Sequence, residues 1–348
     1  MTVESQGPPA LGVDVPVPVP VDPGSWRAAH PLTWLLVQRL AIGLLTLVGV
    51  SMLVFAATML LPGNAAYAVL GQSATPERLA ALEAQLHLDQ SVVGQYTSWA
   101  GDLLRGDLGN SLVANRPVSD LLRPRIENSI VLVVFAGVIA SVIGTLLGVL
   151  AAARRDGVLD HLLSVVFLTL TALPEFVVAI FLVMIFATNV WHILPAISPV
   201  PPGTSVFSTP DVLVLPVATL ILVVIPYVFR MTRAAVIEAL ESEYVEMAVL
   251  KGASRRRRLF AHALPNAAAP IIQVVGLNLL YLAGGIVVIE FVFNYPGIGQ
   301  GLVSAVQARD IPVIQAAVLV LAAFYIAVNI ATDVVALLAS PRRRRART

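Results

Sequence analysis

Six apolar stretches, each about the 20 residues that a helix needs to cross a bilayer, divide the chain at roughly 40–61, 130–153, 162–188, 212–229, 267–292 and 312–339. None alternates apolar with polar positions, which a transmembrane barrel strand requires. In lipid the backbone has no outside partner for its polar groups, so each continuous apolar run is expected to be a helix. The first run is too long for a signal-peptide core and lies far from Met1, although Ala66-Tyr67-Ala68 has the form of a cleavage site.

Basic residues fall on alternate connections. The loops after spans two and four and the C-terminal end hold Arg154 and Arg155, then Arg230, Arg233, Lys251 and Arg255 to Arg258, then Arg342 to Arg345 and Arg347. The loops after spans three and five hold only Arg309. Short loops rich in arginine stay in the cytoplasm. Both termini are therefore expected there, and the long first loop outside. The fold class is an all-α membrane protein with six transmembrane helices, a structured external loop between helices 1 and 2, and a cytoplasmic helix between helices 4 and 5. Its expected divisions are a Pro-rich tail over 1–30, a membrane domain over 31–340 and a basic tail over 341–348. Within the membrane domain the external loop covers about 62–127 and the charged loop about 231–266.

Composition agrees. The chain of 348 residues is 57% hydrophobic and 12% charged, where soluble domains carry about a quarter charged residues. Cysteine is absent, which removes disulfides and thiolate chemistry. His30, His87, His161, His192 and His262 have no metal-ligand spacing.

The external loop predicts two short helices. Thr75-Pro76-Glu77 opens one, with proline and an acid in its first turn. It continues through Leu79, Leu82, Leu86 and Leu88; the second covers 92–104.

The loop after span four carries the strongest local chemistry. Glu238, Glu241, Glu243 and Glu246 precede Lys251 and Arg255 to Arg258. Acids first and bases last suit two short helices joined at Gly252, with Pro265 at re-entry into the membrane. A plain basic loop against lipid headgroups fits the charge equally well.

Glu246-Met247-Ala248, three residues, Gly252, nine residues, then His262-Ala263-Leu264-Pro265 resembles the EAA loop of ABC importer permeases. Met247 stands where that pattern has alanine, and His262 where it has isoleucine. Four further stretches resemble the dipeptide/oligopeptide/nickel branch of these permeases. They are Gln95-Tyr96 with Leu104 to Ser111; Arg116-Pro117-Val118 with Arg125 to Ser129; Leu173-Pro174-Glu175-Phe176; and Glu290 to Gly299 with Arg309-Asp310.

The resemblance implies a permease subunit that forms half of a translocation pore for di- or oligopeptides, with nickel or another small solute as the alternative. It implies a second homologous permease subunit, two ABC ATPase subunits and an external solute-binding protein in a bacterial cytoplasmic membrane, with no nucleic acid among the partners. ATP and magnesium would be held by the ATPase subunits. This chain has no Gly-x-x-x-x-Gly-Lys-Ser/Thr loop of its own, and no cofactor is expected in it. Glu246, Ala248, Gly252, His262, Leu264 and Pro265 are the expected ATPase-docking positions. Ala248 and Gly252 are small enough for close seating.

Glu175, Gln273 and Asn278 are candidate pathway residues. A carboxylate at membrane depth is costly and points to a pathway or a buried partner. A side chain that repairs the Pro174 kink is the competing reading of Glu175, and helix bridging that of Gln273 and Asn278. Asp333 is expected to turn toward the basic tail. Asn294 to Gly299 predicts a compact turn and a short external helix. An ion-coupled secondary transporter would show matching inverted halves, and an intramembrane enzyme a nucleophile and base within the spans. Neither pattern is visible.

Overall fold

The computed structural model describes residues 31–60, 91–201 and 203–339. The helix expected over 75–88 and both terminal tails lie outside them. Among the described residues the elements are helical: α1 (Pro31–Met59), α2 (Val92–Leu104), α3 (Val118–Ala153), α4 (Val158–Thr171), α5 (Glu175–Val183), α6 (Asp211–Leu240), α7 (Glu243–Leu250), α8 (Leu264–Val292), α9 (Ile298–Ala308) and α10 (Ile311–Ala339).

Five of these helices are long and apolar enough to span a bilayer alone, and α4 with α5 makes a sixth unit bent by 102°. Leu173-Pro174 breaks it because proline lacks the amide hydrogen and clashes with the preceding turn. The third span is thus two half-helices, not one kinked helix. It nonetheless crosses. Asp160, at the start of α4, is paired with Arg233 near the end of α6. Beyond α5, Ser198 bonds Phe293 and Val212 at the opposite end of the bundle.

With the bent pair counted as one span the candidates number six among the described residues, and α1 begins at the end of the bundle where α10 finishes. Antiparallel α1 and α10 agree, with Arg39 on Asp333 at 2.7 Å at one end and Gln315 donating to Thr58 at 2.9 Å at the other. Asp333 therefore pairs with Arg39. A nearby guanidinium neutralises a buried-side carboxylate more completely than snorkelling toward the tail would.

Helix lengths also depart from the apolar runs. α3 has 36 residues and α6 has 30, about 54 and 45 Å at 1.5 Å per residue. Both exceed a hydrocarbon core of about 30 Å. The first twelve residues of α3 and the last eleven of α6 project beyond the apolar runs. Their polar side chains hid them from a reading by hydropathy.

Small residues bring these long helices together. Gly137, Ala140, Gly144, Gly148 and Ala151 form one buried stripe of α3. A Cβ at Gly144 would stand 2.8 Å from Val228, and one at Gly148 2.8 Å from the Phe229 carbonyl. Close backbone approach of this kind drives helix association where lipid removes the hydrophobic gain. Leu132, Leu215, Leu220, Leu282, Ile286 and Ile289 fill the centre.

Candidate functional site

At the end where α3 begins, a buried polar clasp joins segments more than 160 residues apart. Glu290, near the end of α8, is fully buried. Its carboxylate accepts from the Ser129 hydroxyl at 2.5 Å and from the amides of Gly299 and Gln300 at 2.8 and 3.1 Å. Those amides open α9, whose N-cap Gly297 supplies no side chain, so Glu290 caps that helix from outside it.

The glycines beside it are required by space. A Cβ at Gly297 would lie 1.9 Å from the carboxylate, and one at Gly301 2.8 Å from Arg125. Arg125 donates to the Gly297 carbonyl and to Gln300, and Asn128 donates to the Pro296 carbonyl. Tyr295 donates to the Asn128 carbonyl at 2.9 Å. Burial, then the neighbouring Glu290 charge, pushes the Tyr295 phenol above its ordinary value. Asp310, before α10, accepts from the Ser111 hydroxyl and the Leu112 amide.

The expected turn and short helix at Asn294 to Gly299 are present as this clasp and α9. Sequence reading missed the role of Glu290 because its partners are distant. The signal was there in the alternate glycines of Gly297-Ile298-Gly299-Gln300-Gly301.

Near the same end, α2 spans the expected residues. It packs Tyr96 and Trp99 around Phe55 of α1, and the Tyr96 hydroxyl meets Ser51 at 2.9 Å.

The opposite end carries the basic residues. Asp160 takes two guanidinium hydrogen bonds from Arg233, at 2.6 and 2.7 Å, and a third from the Asp156 amide. Arg155 pairs with Glu241, and Arg255 donates to the Ala153 carbonyl.

Between α6 and α8 stands α7. It closes with the Gly252 amide on the Val249 carbonyl and the Ala253 amide on the Ala248 carbonyl, at 2.9 and 3.0 Å. This is a Schellman ending, and Gly252 at φ +76° supplies its left-handed residue. A Cβ at Gly252 would meet nothing within 4 Å. The conformation, not close seating within this chain, requires glycine there.

α7 has two faces. Val245 and Ala248 are buried, while Tyr244, Met247 and Leu250 are 48, 54 and 76% exposed. Ala248 therefore seats α7 on its own chain and does not face an outside partner. Glu246 is exposed and has no side-chain bond to a described residue. His262 is half-buried and its Nδ1 meets the Tyr244 hydroxyl at 3.1 Å, fastening α7 to the next segment.

That segment is not a separate second helix. Arg255–Arg257 and a π-helical turn, Arg258–Ala263, run on into α8 as one span. The widened turn sits just before Pro265, which has no amide hydrogen to continue an α-helical ladder. Pro265 thus lies within a continuing helix. Leu264 packs, half-buried, against Val236 and Leu259.

The candidate pathway residues are not gathered together. Glu175 begins α5 and lies against Gly285 of α8. Gln273 is exposed on α8. Asn278 is buried and donates to the Val274 carbonyl of its own helix at 2.8 Å, so it bridges no helices by this bond. An i−4 carbonyl is always in reach of such a side chain.

Comparison with known proteins bears on this arrangement directly. The family described as "Binding-protein-dependent transport system inner membrane component" matches residues 144–345, and the N-terminal region of such membrane components matches residues 32–132. A probable peptide ABC transporter permease protein of Sinorhizobium fredii is 34% identical, over 89% of this chain and 98% of the relative. The dipeptide transport system permease proteins DppB of Alkalihalophilus pseudofirmus and Escherichia coli are 32 and 31% identical, over 88 and 89% of this chain and 97 and 98% of theirs. These matches place the chain in the family of inner-membrane components of binding-protein-dependent transport systems.

Proposed function

We propose that this chain is the permease subunit of an ATP-driven importer of di- and oligopeptides. It forms half of the pore with a second, homologous permease. α7 is its coupling helix. Both termini and α7 face the cytoplasm, which the arginines at that end support, and the clasp faces outward toward a solute-binding protein. ATP and magnesium are bound by two ATPase subunits, so this chain does no hydrolysis itself.

The observation that carries the reading is the exposed apolar stripe Tyr244, Met247 and Leu250 on a helix locked to its own span by Val245, Ala248 and His262. A side chain of this size gains about 1.5–3 kcal/mol when fully buried, so the stripe suits a partner's groove. The rigid link through the π-helical turn into α8 lets a push on α7 tilt the span. Glu246 flanks the stripe as a polar contact, and Gly252 sets the angle at which it is presented. Peptide as cargo is supported by the names of the relatives.

Co-purification tests the reading. A tagged chain expressed with its neighbouring transport subunits should bring down an ATPase, and vesicles holding the complex should take up labelled dipeptide or tripeptide when ATP is inside. Recovery of the chain without any ATPase would sink it. Uptake of nickel but not of peptide would move the cargo.

A further inference from the structure

One exposed helix face departs from the rest. α1 turns Leu40, Leu44, Leu45 and Leu53 outward, as lipid requires. α8 instead turns out Gln273, Leu277, Tyr281 and Gly284 at helical spacing. Polar side chains on an outward face of a span mark a water-filled route or a partner.

Glu175 lies on this face. Its Oε2 would be 2.6 Å from a Cβ at Gly285, so the glycine opens the room that the carboxylate occupies. One turn along α8 from Gly285 stands Tyr281, exposed on the same helix. The Tyr281 ring is 5.9 Å from that of Tyr227 on α6. The Arg230 guanidinium stands 5.7 Å over Tyr227.

These four groups form a line from carboxylate to guanidinium through two rings. Glu175 has no hydrogen bond or ion pair with any described residue, and ring stacking is the contact of Arg230. They are too far apart to satisfy each other. Gly285 to Tyr281 is four residues of α8, and Tyr227 to Arg230 is three of antiparallel α6. The two steps add to about 10 Å at 1.5 Å per residue. Three extended residues span about the same distance.

We propose that Glu175 and Arg230 are the charge-selective ends of a track for short zwitterionic peptides. The Glu175 carboxylate takes the α-ammonium, the Arg230 guanidinium takes the terminal carboxylate in its planar fork, and Tyr281 and Tyr227 carry the backbone between them. An unpaired carboxylate at membrane depth is expensive, and Arg230 stands just past the apolar run of α6; the cargo brings the counter-charge to each. This rests on the peptide-importer reading.

The test uses the whole complex in proteoliposomes, with the solute-binding protein loaded to equal occupancy by trialanine, its C-terminal amide or its N-acetyl form. Wild type should import free trialanine faster than either blocked form, by about tenfold if one charge-assisted hydrogen bond is lost. Arg230→Gln should abolish the preference against the amide alone, and Glu175→Gln that against the N-acetyl form alone. Glu175→Asp and Arg230→Lys should restore part of each preference. Unchanged preferences in both glutamine variants overturn the proposal. So does loss of uptake that merely tracks dissociation of the two permeases, since the charges would then serve subunit contact. If wild-type vesicles import nickel and no peptide, the peptide reading itself has failed first.

Discussion

Around Glu290 the polar groups are partnered inside the chain, whereas around Met247 the apolar side chains of Met247 and Leu250 stand exposed. The clasp end holds Ser129, Asn128, Arg125 and Tyr295 in one hydrogen-bonded body with the loop before α9. The basic end fastens α7 by one buried face and His262, and leaves the other face open. The difference separates a frame from a contact. A permease that is rebuilt in each cycle would tear a half-satisfied network apart. A network satisfied at every atom moves as a unit, so motion delivered at α7 can pass along α8 to a fixed body at the far end.

Four variants test that contrast, beginning where the loss is largest. Glu290→Leu leaves the Ser129 hydroxyl and two amides buried without an acceptor and removes the counter-charge of Arg125. About 3–5 kcal/mol should be lost, read as a fall in the thermal unfolding midpoint in detergent. A midpoint unchanged from wild type would show that the clasp is not structural. Gly148→Leu forces a side chain into the Phe229 carbonyl and Thr232. It should cost about 1–3 kcal/mol or more, seen in the same melt and as poorer accumulation in the membrane.

Gly252→Val is expected to cost about 1–2 kcal/mol, because a β-branched residue is strained at positive φ. Its stronger effect should be on ATPase association, since the angle of α7 changes. Full retention of the ATPase subunits in a pull-down would refute that. Last in stability is Met247→Glu with Leu250→Glu. Exposed positions of this kind shift stability within about 0.5 kcal/mol. The same pair should nonetheless abolish recovery of the ATPase. Binding that survives would remove the stripe as the docking surface.

Much of this was legible in the residues. Uniform apolar runs revealed the five long apolar helices and the bent pair because lipid permits no other backbone solution. α2 and α9 were visible because Ser91 and Gly297 punctuate them and aromatic or small residues follow. The break at Leu173-Pro174 was harder, since hydropathy is the same on both sides and only tertiary contacts reveal the 102° turn. Ala248 was legible only as a motif position, and folding adds that it is buried against the chain's own helices. Asp333 was matched to the nearest basic run in sequence, while folding supplied Arg39 from the other end of the chain.

By itself, then, the sequence determined the long apolar helices, the charged segment between α6 and α8 and the local turn at Gly252. Each is a short-range consequence of apolar length, charge or allowed backbone angles. The tertiary structure alone decided that Glu290 caps α9, that α3 and α6 touch through glycine, and that Glu175 and Arg230 share one face. Those contacts join residues from nine to more than eighty positions apart. Chain proximity carries no trace of them; only the packing of helices brings them together.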